Sequence, residues 1–380
     1  MIIGVNARML ILNKLEGQGW FTHEILRRVV RMNPQHEFKF FFDRPFSSDF
    51  IYAENTKGYL IPPRAVMRFP FLFEIWYQYS LLFASKFLAC DVLISLDGFI
   101  PVRSKIPTVN VIHDLGFIHY PAQLKKGLIR YYRKRYRDCA LKASKLATVS
   151  KFSRVDISEQ YGIPLDEITV VYNAARAIFK PASIAEIDDT KSKWTNGCDY
   201  FIYTGIVQPR KNIARLFRAF DLFKNNSDNE VRLLIVGAKG WGDPEVAEAL
   251  ANMKHAHSVK FTGYVSETDL AKLMGSAIAL TFIPHFEGFG IPVLEAMQCG
   301  VPVICSNVTS LPEVAGDSAI LVDHLDEKAV AEAMSAVFSN ENLRNDLSQK
   351  GIKRAADFSW DSSARIVSKL IEELTISAQR

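Results

Sequence analysis

No Cys-x-x-Cys pair occurs in this sequence, and its five cysteines (Cys90, Cys139, Cys198, Cys299 and Cys305) are scattered and odd in number. Such spacing offers neither a zinc site nor a disulfide framework and fits reduced thiols in a cytoplasmic protein. Dense blocks of Lys and Arg are also missing, and a net charge of +5 over 380 residues is modest, so nucleic acid is not an expected partner. Long hydrophobic runs are lacking. The most apolar neighbourhood, Phe69 to Cys90, is broken by Glu74, Gln78, Ser80, Ser85 and Lys86 and falls short of a spanning helix. The start, Met1-Ile2-Ile3-Gly4-Val5-Asn6, has no basic flank before a long apolar stretch and reads as a buried first strand rather than a signal peptide. Neither a solenoid repeat nor a low-complexity tract is present.

What is present is alternation. Short β-branched runs exchange with longer segments of helical period, the order expected of helices packed on parallel sheets. Ile2 to Val5, Phe38 to Phe42, Val92 to Ser95, Val109 to Ile112 and Leu146 to Val149 form a first series of strands. A second series runs through Tyr200 to Tyr203, Arg232 to Val236, Ser258 to Thr262, Ile278 to Phe282 and Val303 to Cys305. Between the first two of these, Ile213, Leu216, Phe217, Phe220 and Phe223 recur at three- and four-residue spacing and place one apolar helix face on the sheet. Ala177 to Gly197 is polar, contains Pro181 and reads as a linker. The expectation is an α/β chain with two doubly wound, Rossmann-like domains at 1–178 and 179–357 and a closing helix at 358–380. Ligands of such sheets collect at the carboxyl ends of the strands, so function lies in the loops there.

One loop is distinctive. Phe286-Glu287-Gly288-Phe289-Gly290-Ile291-Pro292-Val293-Leu294-Glu295-Ala296-Met297 follows a strand and leads into a helix, with Pro292 near its first turn and Glu295 within it. Gly288 and Gly290 let the backbone approach a ligand, and a helix amino end favours an anion, so a phosphate suits this place. Glu287 and Glu295 can accept hydrogen bonds from sugar and ribose hydroxyls. Taken alone, the pair reads first as a surface loop with Glu295 complementing the helix dipole.

The longer pattern resembles the Glu-x7-Glu motif of retaining GT-B glycosyltransferases, particularly family 4. The similarity extends through Gly300-Val301-Pro302-Val303-Ile304 and Leu311-Pro312-Glu313-Val314-Ala315-Gly316 to Val322-Asp323. The resemblance implies the GT-B architecture, two Rossmann-like domains facing across a cleft with the C-terminal helix crossing back. It further implies that Glu287 binds donor-sugar hydroxyls, that Gly288, Phe289 and Gly290 bind the diphosphate and that Glu295 binds the ribose. His113, after the strand ending at Ile112, resembles the family histidine that contacts the transferred sugar. Gly17-Gln18-Gly19 resembles the glycine loop folded over the donor phosphates, although a plain turn fits it as well. Gly263-Tyr264-Val265 resembles the turn that receives the nucleotide base.

Arg210 and Lys211, between a strand and its helix, place two cations where a diphosphate would leave. Ile206 stands where many family members carry an arginine, and Asn173-Ala174-Ala175 where they often carry Asn-Gly. No Asp-x-Asp occurs, so neither a metal clamp nor any other cofactor is expected, the cations standing in. Lys125, Lys126, Arg130, Arg133, Lys134, Arg135 and Arg137, interleaved with Tyr131, Tyr132 and Tyr136, form either a solvated helix face or a contact with an anionic membrane or lipid diphosphate. Ile112 to Pro121, Pro209 to Asn212 and Gly240-Trp241-Gly242 look most like bacterial mannosyltransferases of polysaccharide assembly. The expected partners are therefore a nucleotide-sugar donor, GDP-mannose before a UDP-sugar, and a saccharide or lipid-linked acceptor. A nucleotide-sugar epimerase and a non-catalytic sugar-nucleotide-binding subunit are the rival readings.

Overall fold

The computed structural model describes residues 1–12, 15–64, 70–121, 126–225, 229–238 and 244–378. The chain divides into two compact units, Met1–Asn173 with Ser359–Arg380, and Ala174–Phe358.

Unit 1 is built on seven parallel strands, β1 (Ile2–Asn6), β2 (Glu37–Phe42), β3 (Thr56–Leu60), β4 (Val92–Ser95), β5 (Thr108–Ile112), β6 (Lys145–Thr148) and β7 (Ile168–Val170), in the order β3-β2-β1-β4-β5-β6-β7. Unit 2 has six, β8 (Tyr200–Thr204), β9 (Arg232–Val236), β10 (Val259–Gly263), β11 (Ala279–Phe282), β12 (Val303–Ser306) and β13 (Ile320–Val322), in the order β10-β9-β8-β11-β12-β13. β4, β5, β8, β11 and β12 are buried along their whole length, and their residues are mostly apolar. β3 and β7 include polar residues, and β13 is apolar but only three residues long. They are sheet-edge strands, partly exposed, and burial on fewer sides demands less of their sequences.

In both sheets the strand order reverses beside the first strand, between β1 and β4 in unit 1 and between β8 and β11 in unit 2. Loops leaving the two strands at such a reversal part in opposite directions and leave a crevice at the carboxyl edge. The Ile213–Asn225 helix buries Ile213, Leu216, Phe217, Phe220 and Phe223, the face expected from their spacing.

The stretch expected to be a linker differs. It carries the Ile184–Thr195 helix, started by a capping box in which Ser183 and Glu186 satisfy each other's backbone. Its weak apolar periodicity reflects a helix of which only Thr190 and Thr195 are buried. The closing helix, Trp360–Ala378, belongs to unit 1. There Trp360 meets Phe21 edge to face at 6.0 Å, and the Ser363 hydroxyl donates to the Tyr172 carbonyl at 2.6 Å.

Candidate functional site

The reversal in unit 2 brings together residues distant in sequence. The loop after β8 contains a 3-10 turn, Pro209–Lys211, and the loop after β11 contains Glu287. Lys211 Nζ is ion-paired with the Glu287 carboxylate, and Arg210 Nη1 lies 3.4 Å from the same oxygen. Arg210 Nη1 also donates to the Phe286 carbonyl at 3.0 Å, while its own carbonyl accepts from the His285 amide at 2.8 Å. All three charged side chains are largely shielded from solvent, and the cluster keeps one positive charge in excess. The glutamate expected to face the sugar and the cations expected to face the phosphates form one group in the fold.

Two supports hold this arrangement. Asn212, with a left-handed φ of 60°, donates from Nδ2 to the carbonyls of Ile283 at 3.0 Å and His324 at 2.8 Å, tying together the loops that follow β8, β11 and β13. The loop after β12 braces Glu287 itself. The Ser310 hydroxyl donates to the Glu287 carbonyl at 2.9 Å, and Thr309 Oγ1 accepts from the Glu287 amide at 3.3 Å. Thr309 has φ 59°, an unusual conformation for a β-branched residue, of the kind that persists where surrounding contacts over-determine it.

The Ile291–Gln298 helix begins as the sequence indicated, with Pro292 in its first turn. Its cap is Gly290 at φ 97°, where a side chain would also press on Leu311, so glycine is required twice over. Gly288 and Phe289 are buried beside it, and Phe289 packs edge to face on Phe358 at 5.8 Å.

Glu295 departs from expectation in place and in partner. It is the fifth residue of the helix, beyond the first turn, and is buried. Its Oε1 accepts from Arg176 Nε at 2.8 Å. Burial raises the Glu295 carboxyl above the usual carboxylate range, and the Arg176 guanidinium offsets only part of that rise. Gln298 donates to the carbonyls of Arg176 at 2.9 Å and Phe179 at 2.6 Å, so the same helix holds the segment that supplies its counter-ion. Arg176 lies 119 residues before Glu295, and nothing in the sequence marked the pair.

Gly263 closes β10 in a left-handed conformation (φ 71°), with Tyr264 exposed and Val265 half-buried after it. The Gly240-Trp241-Gly242 stretch lies outside the described residues.

In unit 1, His113 directly follows β5 and is buried. Its Nε2 lies 2.9 Å from the Leu96 carbonyl, which can only accept. The proton therefore sits on Nε2 and leaves Nδ1 as the acceptor of a neutral ring. Burial lowers the His113 pKa from its ordinary value, which keeps the ring neutral. Phe21 packs edge-on against it at 4.9 Å.

At the β1/β4 reversal a buried network went unmarked in the sequence. Arg8 Nε donates to the Tyr77 hydroxyl at 2.9 Å, Tyr77 donates to Asp97, and Asn6 Nδ2 donates to Asp97 at 2.9 Å.

The glycine loop is a correction. Gly17 and Gly19 open the Gly17–Met32 helix rather than forming a free loop. A Cβ at Gly19 would stand 2.9 Å from the Met9 carbonyl, so glycine here permits the chain after β1 to pass close to the helix.

The basic stretch is corrected in part. Within the Lys126–Lys142 helix, Tyr131, Tyr132 and Tyr136 pack into the core cluster of unit 1 and are not free interfacial aromatics. Arg135 is paired with Glu74 through Nε at 3.0 Å, whereas Arg130, Arg133, Lys134 and Arg137 are exposed; Lys125 lies outside the described residues. Among the described residues no helix is long and apolar enough to cross a membrane.

Two family models match this chain. Residues 185–354 match the family model "Glycosyl transferases group 1" and residues 15–176 match "Glycosyltransferase Family 4". The chain is 32% identical over 255 residues to O-antigen chain mannosyltransferase B of Escherichia coli, covering 67% of each protein. It is 25% identical over 245 residues to the serotype-specific mannosyltransferase WbdA of Escherichia coli, of which the match spans only 30%. Among solved structures, sucrose-phosphate synthase from Thermosynechococcus elongatus superposes with a TM-score of 0.77 at 15% identity, covering 99% of this chain and 100% of the other, a likeness of fold.

Proposed function

This chain belongs to the family of group 1 and family 4 glycosyltransferases, and on that premise we propose that it transfers a mannosyl group from GDP-mannose, with retention of configuration, to a saccharide or lipid-linked acceptor of a bacterial surface polysaccharide. The fold is that of GT-B enzymes and the activity is that of a hexosyltransferase. Mannose is favoured by the similarity to O-antigen chain mannosyltransferase B.

The observation that carries the chemistry is the Arg210–Lys211–Glu287 cluster at the β8/β11 reversal, beside a helix amino end capped by Gly290. Transfer breaks the bond between the anomeric carbon and the diphosphate oxygen, and negative charge develops on that oxygen. Two fixed cations and a helix dipole stabilise charge where it appears, and partial exclusion of water makes them worth more. Glu287 is already held by Lys211, so its free lone pairs are oriented to accept donor-sugar hydroxyls. On the same reading the acceptor oxygen bonds to the anomeric carbon from the face the leaving group vacates. Its proton passes to the departing phosphate, no enzyme nucleophile intervening. His113 Nδ1 accepts a hydroxyl of the transferred sugar, Glu295 serves the ribose, and no divalent ion is required. The exposed cations of the Lys126–Lys142 helix meet an anionic membrane surface that presents the acceptor.

The test is incubation with GDP-mannose and, separately, UDP-glucose, each with an acceptor and with a chelator, followed by assignment of the product anomer. An α-mannoside formed in chelator supports the proposal. An inverted product, dependence on a divalent ion, or turnover of UDP-glucose alone overturns it.

A further inference from the structure

The segment Pro70–Phe87, too interrupted to span a membrane, folds into a continuous helical run comprising Pro70–Ile75, a π-helical turn Trp76–Ser80, and Leu81–Phe87. One side carries Phe73, Trp76, Tyr77, Leu81 and Ala84 into the core cluster of unit 1. The other carries Phe71, Ile75, Tyr79, Phe83 and Phe87, which are 61%, 39%, 53%, 70% and 77% exposed. These five recur at every fourth residue. In an α-helix each such step advances about 40° around the axis and the row would spiral away. The wider π turn rotates less per residue and takes back part of that drift, which keeps the row on one side. Phe83 and Phe87 stack upon each other at 6.1 Å.

The neighbouring element gives the row its charge context. Arg135 of the Lys126–Lys142 helix bonds Glu74, and Tyr131 meets Phe73 edge to face at 5.9 Å, so the two helices lie side by side on one core. Facing outward on that second helix are Arg130, Arg133, Lys134 and Arg137, and Lys86 is exposed within the aromatic row itself. None of the four arginine and lysine side chains on the second helix is in an ion pair among the described residues. Glu74 and Asp138 are both paired with Arg135.

We infer that the aromatic row Phe71–Phe87 is a membrane-docking surface: its rings enter the interfacial layer of an anionic bilayer while the cations beside it bind lipid headgroups. An apolar face flanked by cations is the composition of an interfacial helix. A second copy of the chain is a poorer occupant, because self-pairing of this face would set one basic helix near another. The inference rests on the proposed membrane-presented acceptor for its purpose and changes the anchoring element: the inserted aromatics come from Pro70–Phe87, not from the tyrosines of the basic helix.

The test uses the full chain, without donor or acceptor, and vesicles of phosphatidylcholine alone or mixed with phosphatidylglycerol. Wild type should co-sediment with the anionic vesicles, and Phe83→Ser/Phe87→Ser should weaken this by about tenfold or more, two exposed rings supplying at least that much transfer energy. A Phe83→Trp variant should be quenched by brominated acyl chains. The serine variant should keep wild-type transfer to a soluble acceptor, which separates loss of docking from loss of folding. Unchanged sedimentation of the serine variant, absence of quenching, or a wild-type dimer that the same substitutions split into monomers would overturn the inference. Failure to use GDP-mannose would leave these readouts intact and count only against the proposed function.

Discussion

Arg176 Nε lies 2.8 Å from Glu295 Oε1, and both side chains are buried. A carboxylate in this position is stable only with its counter-ion, since removing one partner of a buried pair strands the other charge. Arg176→Met should therefore destabilise unit 2 by about 3–5 kcal/mol. Arg176→Met/Glu295→Met, which strands nothing, should cost far less than the sum of the single changes. Equilibrium urea unfolding of the four proteins measures this, and simple additivity would contradict it.

The two motif glutamates should fail differently. Glu287→Ala removes the group held against Lys211 and should chiefly lower the rate of sugar transfer. Glu295→Ala should chiefly weaken nucleoside diphosphate binding. Titration calorimetry with GDP beside steady-state kinetics separates the two, and equal loss of GDP affinity in both variants would refute the division.

Lys211→Ala should lower kcat by about 100-fold or more, the usual loss when a fixed group facing transition-state charge is removed. Arg210→Ala should act in the same direction and more weakly, because that guanidinium is partly committed to the Phe286 carbonyl. A kcat for Lys211→Ala within a few-fold of wild type would remove Lys211 from the chemistry.

Ser310 acts on Glu287 through the backbone, donating to its carbonyl at 2.9 Å. Ser310→Ala leaves that buried carbonyl short of a donor, at a cost of about 1–3 kcal/mol. It should also depress transfer while Ser310→Thr, which keeps the hydroxyl, restores part of it. Full activity in the alanine variant would show that the brace is dispensable.

His113 carries a pH dependence. Burial lowers its folded pKa below the ordinary imidazole value, so the unfolded chain takes the proton first as pH falls. The stability this neutral ring supports is complete above about pH 6.5 and is lost as pH falls through the lower folded value. Melting temperatures between about pH 7.5 and pH 5 should fall more steeply for wild type than for His113→Phe, and parallel slopes would exclude this account.

Strand and helix identity in the centre of each sheet was legible because a buried parallel strand needs an apolar run, as Val92 to Ile94 and Leu233 to Val236 display. The edge strands β3, β7 and β13 and the Ile184–Thr195 helix bury less and left fainter marks. The loop-to-helix start at Gly288 to Pro292 was legible for a different reason: its glycines and proline answer local backbone demands, which a sequence states directly.

The sequence by itself determined two doubly wound units, a phosphate-suited helix start and the residues around Glu287, since hydrophobic period and turn chemistry act between near neighbours. Only the tertiary structure decided what each charge faces. Lys211 and Arg210 reach Glu287 across 76 and 77 residues, Arg176 claims Glu295, and Thr309 and Ser310 hold the Glu287 backbone, because parallel strand order brings distant loops to one sheet edge. Coulombic pairing depends on distance in space, and strand order, not position in the chain, sets that distance.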